Sequence, residues 1–404
     1  EQPWQTIQKC ADELQAGDTC VVVQGTYAER VQVSTSGSEG APITYMAVGR
    51  VIIEGFTVKA DYVTLKGFEI THTPDEAEDG WGVFYQGAGG VIEENDVFNA
   101  TRGGIKVSAV VGSEGNTHDV TVKNNRLYRN AQVGVEVHGR GHVVEGNEIW
   151  GTIQNHPDSS EGGRRDADGI RFFGSGHELR KNNIHDISYT AAENEDAQID
   201  CFETWSDGEH EGARDVVIEQ NVCANLQAES EQRVGRGVQL SNAGNIILRG
   251  NEIKAYRGVN AVDSSGIVVD GNTVRGAQVG YESYSVKLTN ATACTVANNT
   301  FQELYGQVIV ADAASQAGLV VTNNDMPVLP TNKEEVAPPQ VEEPSNGLTI
   351  EKDDQANLEP DIQSQNKTPT PSTPTPTLIP TPTLTHTMEK TGATSPVSST
   401  AFPI

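Results

Sequence analysis

Charged side chains recur at matching places in three neighbouring segments. DGIRFF carries Asp168 and Arg171, DCFETW carries Asp200 and Glu203, and RGVQLS carries Arg236 and Gln239. Carboxylates grouped with guanidinium ions suit two chemistries. In the first, Asp166, Asp168, Asp200 and Glu203 offer hard oxygen ligands to Ca²⁺. A cation there, beside Arg236, Arg171 or Lys106 as base or charge stabiliser, suits proton abstraction next to a uronate carboxylate, that is, β-elimination. A guanidinium needs a special environment to act as a base, because it ordinarily stays protonated. In the second chemistry, paired carboxylates cleave a glycoside by acid–base catalysis. Neighbours about 5 Å apart suit a retaining pair, and Glu136 with Glu203, about 10 Å apart, approach the inverting spacing. His138 is a further catalytic candidate. Trp205 and Phe173 are candidates to stack on a sugar ring, with Gln239, Glu136, Arg164 and Arg165 as further substrate contacts.

What must position these residues is a repeat. VIEENDVF, VTVKNNRLY, HVVEGNEIW, HELRKNNIH, VVIEQNVC, IILRGNEIK, IVVDGNTV, CTVANNTF and VVTNNDM share β-formers, an Asn, a variable residue and an apolar residue. The asparagines are Asn95, Asn125, Asn147, Asn182, Asn221, Asn251, Asn272, Asn299 and Asn324, spaced by 21 to 39 residues. Self-similarity at that period, with no helix between the strands, predicts a parallel β-helix. Asn at the same bend of every coil is expected to stack and hydrogen-bond coil to coil, with a tolerance for left-handed backbone at such bends. In LKGFEI, Gly67 is expected to take the place of the Asn.

A second strand precedes each Asn segment: GGIKVS, VGVEVH, DGIRFF, DCFETW, RGVQLS, RGVNAV and YSVKLT. Alternation turns Ile105, Val107, Val135, Val137, Ile170, Phe172, Phe202, Val238 and Leu240 inward, with Thr204 as the polar exception. Lys106, Glu136, Arg171, Glu203, Gln239, Asn260 and Lys287 then form one outward column. Asp168, Asp200, Arg236 and Arg257 form another near the strand starts, and His138, Phe173, Trp205 and Ser241 a third. Coils stack about 4.8 Å apart, so Asp168, Arg171, Asp200, Glu203 and Arg236 share a patch over three coils, with His138 and Glu136 at one margin and Trp205 and Phe173 on its border. The segments 151–167, 188–199 and 227–236 before these strands are long and are expected to wall the patch, bringing Arg164, Arg165, Asp166 and Arg233.

Plainer readings compete. Glu136, Arg171 and Glu203 also suit a cross-strand salt-bridge ladder. Asp168 and Asp200 also suit turn capping. Loop 207–214 is placed to cover Trp205, and His142 and His177, at the starts of Asn-bearing strands, are expected to be structural.

The chain has 404 residues and a net charge of −28, which excludes a nucleic-acid partner and fits a secreted protein that meets divalent cations. No apolar run approaches the roughly 20 residues of a membrane span, and the lack of an initiating Met reads as a trimmed start. Of five cysteines, Cys10 and Cys20 are spaced for a local disulfide, Cys201 and Cys223 fall in or near one coil, and Cys294 is left as a buried thiol. Trp4, Ile7, Cys10, Ala11 and Leu14 fall at helical spacing and predict a short capping helix. Beyond Met326 the composition turns acidic and Pro-rich, then Thr-Pro-rich, as in a spacer.

The segment GDTCVVVQGTYAERVQVSTSGSEGAPITYMAVG resembles the first coils of secreted right-handed β-helix proteins of the pectate-lyase-like superfamily, over roughly residues 15 to 326. The resemblance implies a right-handed coil and a secreted or cell-surface location. It favours calcium with a basic side chain, because pectate-lyase-like enzymes commonly combine the two. The superfamily also holds hydrolases, epimerases and non-catalytic surface proteins, so fold alone does not give the reaction. The paired-Asp and Gly-His-Gly motifs of polygalacturonases are absent, and Gly141–His142 is a partial match at most. The reading is therefore an all-β, single-stranded right-handed parallel β-helix with a short N-terminal capping helix. Its parts are cap and first strand at 1–28, β-helix at 29–326, and a disordered tail at 327–404. Functionally it reads as a monomeric extracellular polysaccharide lyase, with a glycoside hydrolase or a carbohydrate-binding surface protein as the alternatives. It needs no organic cofactor.

Overall fold

The computed structural model describes residues 4–75, 78–109, 116–154, 166–187, 198–207, 210–224, 226, 234–276, 283–302, 307–326 and 388–392. Helix α1 (Ile7–Glu13) is capped by Thr6, whose side chain accepts from the Lys9 backbone N–H at 3.2 Å. It buries Ile7, Cys10 and Ala11 over the first coil, and a disulfide joins Cys10 to Cys20 on β1 (Asp18–Val33). Strand β1 pairs in parallel with β2 (Ile43–Val58) along its length, so cap and coil share one strand through residue 28. Met388–Gly392 lies antiparallel on β1, so this short part of the expected tail is a strand.

Each later coil has three short strands. Val133–Val137, Val143–Glu145 and Glu148–Trp150 pair in parallel with Asp168–Phe172, Glu178–Arg180 and Asn183–His185 of the next coil. The nine residues expected to point inward in the first strands are buried, and Thr204 is buried too, accepting from the Ala213 N–H at 3.0 Å.

Simple alternation would also turn Asp168 inward, since it shares its parity with Ile170. A tight corner prevents this. A Cβ on Gly169 would stand 2.6 Å from Ile184 Cγ2 in the core, so position 169 points inward as well as Ile170, and Asp168 joins Arg171 on the outer face. The same inward position is Gly134 against Ile149 one coil earlier and Gly237 against Ile253 two coils later. In the coil between, it is Cys201, and the facing residue is Cys223; the two form a disulfide. Cys294 is a buried free thiol.

The asparagines form one continuous ladder. From Asn95 to Asn324 each Nδ2 donates to the next Oδ1 at 2.8 to 3.0 Å. Each Oδ1 also accepts the preceding asparagine's backbone N–H, as Asn182 does from Asn147 at 3.0 Å. Two details differ from expectation. The left-handed residue is the one before the ladder Asn, with φ between 52° and 66°, and it is Gly at 146, 250 and 271. Gly67 accordingly occupies that left-handed place, and Phe68 stands where the Asn would be, donating its N–H to Asn95 Oδ1 at 3.0 Å.

His142 and His177 form a parallel buried stack, rings 5.0 Å apart, each Nδ1 accepting a backbone N–H of the previous coil at 3.1 Å. Burial lowers them to about 3 and about 4, so both are neutral. They are structural, as expected.

The second strands carry an outward column of alternating charge: Lys66, Glu93, Lys123, Glu145, Arg180, Glu219, Arg249 and Asp270. Four cations alternate with four anions, so Lys123, Arg180 and Arg249 each stand in register between two carboxylates.

Candidate functional site

The outward patch on the first strands begins like that column. Lys106 Nζ lies 2.7 Å from Glu136 Oε1, and Arg171 stands between Glu136 and Glu203, at 3.9 and 4.0 Å. The cross-strand ladder is therefore present, but it does not account for the remaining acids. Asp168 sits at the strand start and takes Arg171 Nε and Nη2 on one oxygen, both at 2.7 Å. Its other oxygen accepts the Asp200 backbone N–H at 3.0 Å, so the turn-capping role is real as well. Asp200 Oδ1 receives Arg236 Nε at 2.8 Å. Asp166 accepts the Gln198 N–H at 2.7 Å and shares with Asp168 and Glu203 a cluster whose ligand oxygens all lie within 4.8 Å of one another.

Among the described residues this patch groups Glu136, Asp166, Asp168, Asp200 and Glu203 with Lys106, Arg171 and Arg236. Asp200 Oδ2 and Glu203 Oε2 are buried and accept no hydrogen bond among the described residues. Burial first, and then neighbouring carboxylates, push Asp168, Asp200 and Glu203 above the usual carboxylate range. Burial would raise Glu136 too, but Lys106, His138 and Arg171 outweigh it and hold Glu136 well below. An acidic set of hard oxygens that includes two buried atoms without a hydrogen-bond partner among the described residues fits a divalent cation. Asp166, Asp168 and Glu203 are the residues to hold it, with Asp200 adjoining.

Several expectations are corrected. Arg171 and Arg236 cannot serve as bases: burial would lower them, but Asp168 and Glu203 around the first, and Asp200 and Glu203 around the second, push both upward. Phe173 offers no face to a sugar, being 2% exposed under His138 (centroids 4.8 Å) and His210 (4.5 Å). Gln239 is buried, accepting from Arg236 and Asn260 and donating to Ser241, so its polar atoms are spent within the protein. Glu136 is likewise buried and ion-paired, which removes it as a direct substrate contact. Arg164, Arg165 and Arg233 lie outside the described residues.

Trp205 keeps part of its surface. Its Nε1 donates to Asp207 at 2.8 Å, and Arg171 lies 5.5 Å over its ring. The loop does pack on it: His210 is fixed by Asp207 and tilts against Trp205 at 5.1 Å. His138 Nε2 meets Glu136 Oε1 at 2.8 Å, and its Nδ1 has no hydrogen-bond partner among the described residues. Trp81 and Phe84, which extend the patch by one coil beyond Lys106, are not among the sequence candidates. They pack with Val133 outside the coil, and Lys106 sits 5.1 Å over Trp81. Aligning WGVFY with GGIKV would have placed them there.

A family model described as the right handed beta helix region matches residues 7–163 and 168–326. No curated protein matches the chain. Similar solved structures include a PL6 family polysaccharide lyase from Pseudopedobacter saltans, 11% identical, covering 78% of this chain and 90% of that chain, with a TM-score of 0.48. A surface adhesin of Streptococcus pneumoniae is 13% identical, covering 75% and 87%, with a TM-score of 0.46. The tailspike of E. coli bacteriophage HK620, in complex with a pentasaccharide, is 12% identical, covering 80% and 63%, with a TM-score of 0.47. Such likeness assigns no residue a role.

Proposed function

The chain belongs to the right-handed β-helix family, and from that premise we propose that it is an extracellular enzyme cleaving an anionic polysaccharide by β-elimination. The observation that carries this reading is the oxygen cluster of Asp166, Asp168 and Glu203, within 4.8 Å of one another, beside two buried carboxylate oxygens, Asp200 Oδ2 and Glu203 Oε2, that accept no hydrogen bond among the described residues. Two disulfides support an oxidising, extracytoplasmic location.

A divalent cation, calcium by the hardness of the oxygens, would be held by Asp166, Asp168 and Glu203. When bound, it supplies charge neutralisation of a uronate carboxylate and so acidifies the neighbouring C–H. Arg171 and Arg236, buried and fixed by Asp168 and Asp200, keep their positive charge and act on an acidic sugar through their field rather than by direct contact. Proton removal falls to His138. With Nε2–H turned to Glu136, its Nδ1 lone pair is free to accept the proton α to the carboxylate. The C–H electron pair becomes the new C=C bond as the adjacent C–O bond breaks. Lys106 is the nearest side chain in the column that can protonate the departing oxygen.

Hydrolysis has one observation in its favour, the opposite shifts of Glu136 and Glu203, which resemble a base and an acid. Glu136 is nevertheless a poor proton acceptor, since Lys106 and His138 hold its proton affinity low. Product analysis on a panel of uronate and neutral polysaccharides tests the reading. Elimination generates unsaturated ends absorbing in the near ultraviolet. Reducing ends without that absorbance would replace elimination by hydrolysis, and glycan binding without turnover would make the protein a binding module.

A further inference from the structure

We infer that the Cys201–Cys223 disulfide is a positioning device for the acidic strand Asp200–Thr204, an inference that rests on the cation-binding reading above. Its place in the coil is unusual. The corresponding inward pair is Gly134 with Ile149, Gly169 with Ile184 and Gly237 with Ile253, each a close packing contact with no covalent link. Only in the coil of Asp200 and Glu203, among the described ones, is that contact replaced by a bond, which ties the strand across the interior to Val222–Ala224. Both cysteines are buried.

Two independent features explain why this coil needs a tie. The first is charge: both buried carboxylate oxygens of the patch that accept no hydrogen bond, Asp200 Oδ2 and Glu203 Oε2, belong to this strand, and they face Asp168 across the gap to the previous coil. Repulsion between them pushes the two strands apart. The second is pairing. Asp200–Thr204 registers with Asp168–Phe172 at only two positions, Ile170 with Phe202 and Arg171 with Glu203. The pairs on either side, Val133–Val137 with Asp168–Phe172 and Asp200–Thr204 with Arg236–Ser241, each register at four. The strand is thus held least by its ladder where like charges press on it most. The disulfide supplies the missing restraint from inside, keeping Glu203 within reach of Asp166 and Asp168.

The test compares the full-length protein with C201G/C223I, which copies the glycine–isoleucine pair of the neighbouring coils. Calcium chloride titration by calorimetry is expected to show at least a tenfold weaker dissociation constant. C10S/C20S, which removes the other disulfide, should lower the melting temperature and leave calcium affinity unchanged. Amide hydrogen exchange reads the same restraint without calcium. Protection in Asp200–Thr204 should fall about tenfold or more in C201G/C223I, while Val133–Val137 keeps its protection. Should that variant not fold, C201A/C223V carries the same comparison. Calcium affinity equal to the parent protein overturns the inference, and so does unchanged exchange in Asp200–Thr204. A parent protein that binds no calcium refutes the cation reading alone, and the exchange measurement then decides this inference by itself.

Discussion

Glu136 and Glu203 stand one coil to either side of Arg171, 3.9 and 4.0 Å from its guanidinium, and are equally buried, yet their other neighbours leave them in opposite states. Glu136 has Lys106 and His138 as further neighbours and stays ionised, whereas Glu203 faces Asp168, Asp200 and Asp166 and is driven toward its protonated form. Arg171 lowers both carboxylates, and the difference between them comes from their other neighbours, cations around Glu136 and carboxylates around Glu203.

Glu203→Gln is therefore expected to stabilise the metal-free protein while destroying its calcium site. The folded state raises the affinity of Glu203 for a proton above its unfolded value. Stability tied to this group is present below the unfolded carboxylate pKa and is lost as pH rises through the folded one. Parent and variant should melt together near pH 4, and the variant should melt a few degrees higher at neutral pH. Excess calcium should reverse that order by stabilising only the parent. Thermal melts with and without calcium across this range check it, and equal melting temperatures at pH 7.5 without calcium would contradict it.

The buried histidine stack acts with the opposite sign. His142 and His177 titrate at about 3 and about 4, below the usual histidine value. The folded state binds fewer protons than the unfolded one between these values and about pH 6.5, so their contribution is present above that pH and fades as it falls. His177→Asn keeps an acceptor for the His142 N–H and removes one titrating group. Its unfolding free energy should decline less steeply from pH 6.5 to pH 4 than that of the parent. Denaturant melts at several pH values measure the slope, and parallel slopes would show that the stack does not set the acid limb.

The coil was legible in the sequence because its two periodic signals, strand alternation and the recurring Asn, are local. The Asn ladder runs through every position read from the repeat. The site was legible only in part. Asp168 and Asp200 share a face with Arg171 because an inward corner at 169 and 201 breaks the alternation, a feature that strand periodicity does not contain. The burial of Phe173 depends on His210, which arrives from a loop of a later coil. Whether an arginine acts as base or as charge stabiliser is not contained in its residue type; carboxylates brought near in space keep Arg171 and Arg236 charged, which favours the second role.

Ladder position should set the cost of losing an asparagine. Asn182 is buried, and its amide makes four contacts: it accepts from Asn147 N–H and Nδ2 and donates to Val144 O and Asn221 Oδ1. Asn182→Ala strands polar groups on both sides, at about 1–3 kcal/mol for each buried group left unpaired. Asn324 closes the ladder and is partly exposed, so water can replace what Asn324→Ala removes. A loss of several kcal/mol is expected for the first variant and about 1 kcal/mol for the second. Denaturant unfolding of the two variants decides, and equal costs would mean that the ladder contributes no more at its centre than at its end.

The sharpest test of the chemistry separates His138 from Glu136. His138 is placed to accept a proton at Nδ1, while Glu136 touches no substrate atom in this scheme and orients the ring through Nε2. His138→Gln removes the base, so kcat for the formation of unsaturated ends should fall by roughly 10²–10⁴-fold with little change in KM. Glu136→Gln keeps a hydrogen-bond acceptor beside Nε2 but removes the ion pair that fixes the ring, so its kcat should fall less, again with little change in KM. A merely structural Glu136 would lower the amount of folded protein and leave the kcat of the folded fraction unchanged. Full activity in His138→Gln would remove His138 from the reaction and leave Lys106 as the remaining candidate in the column.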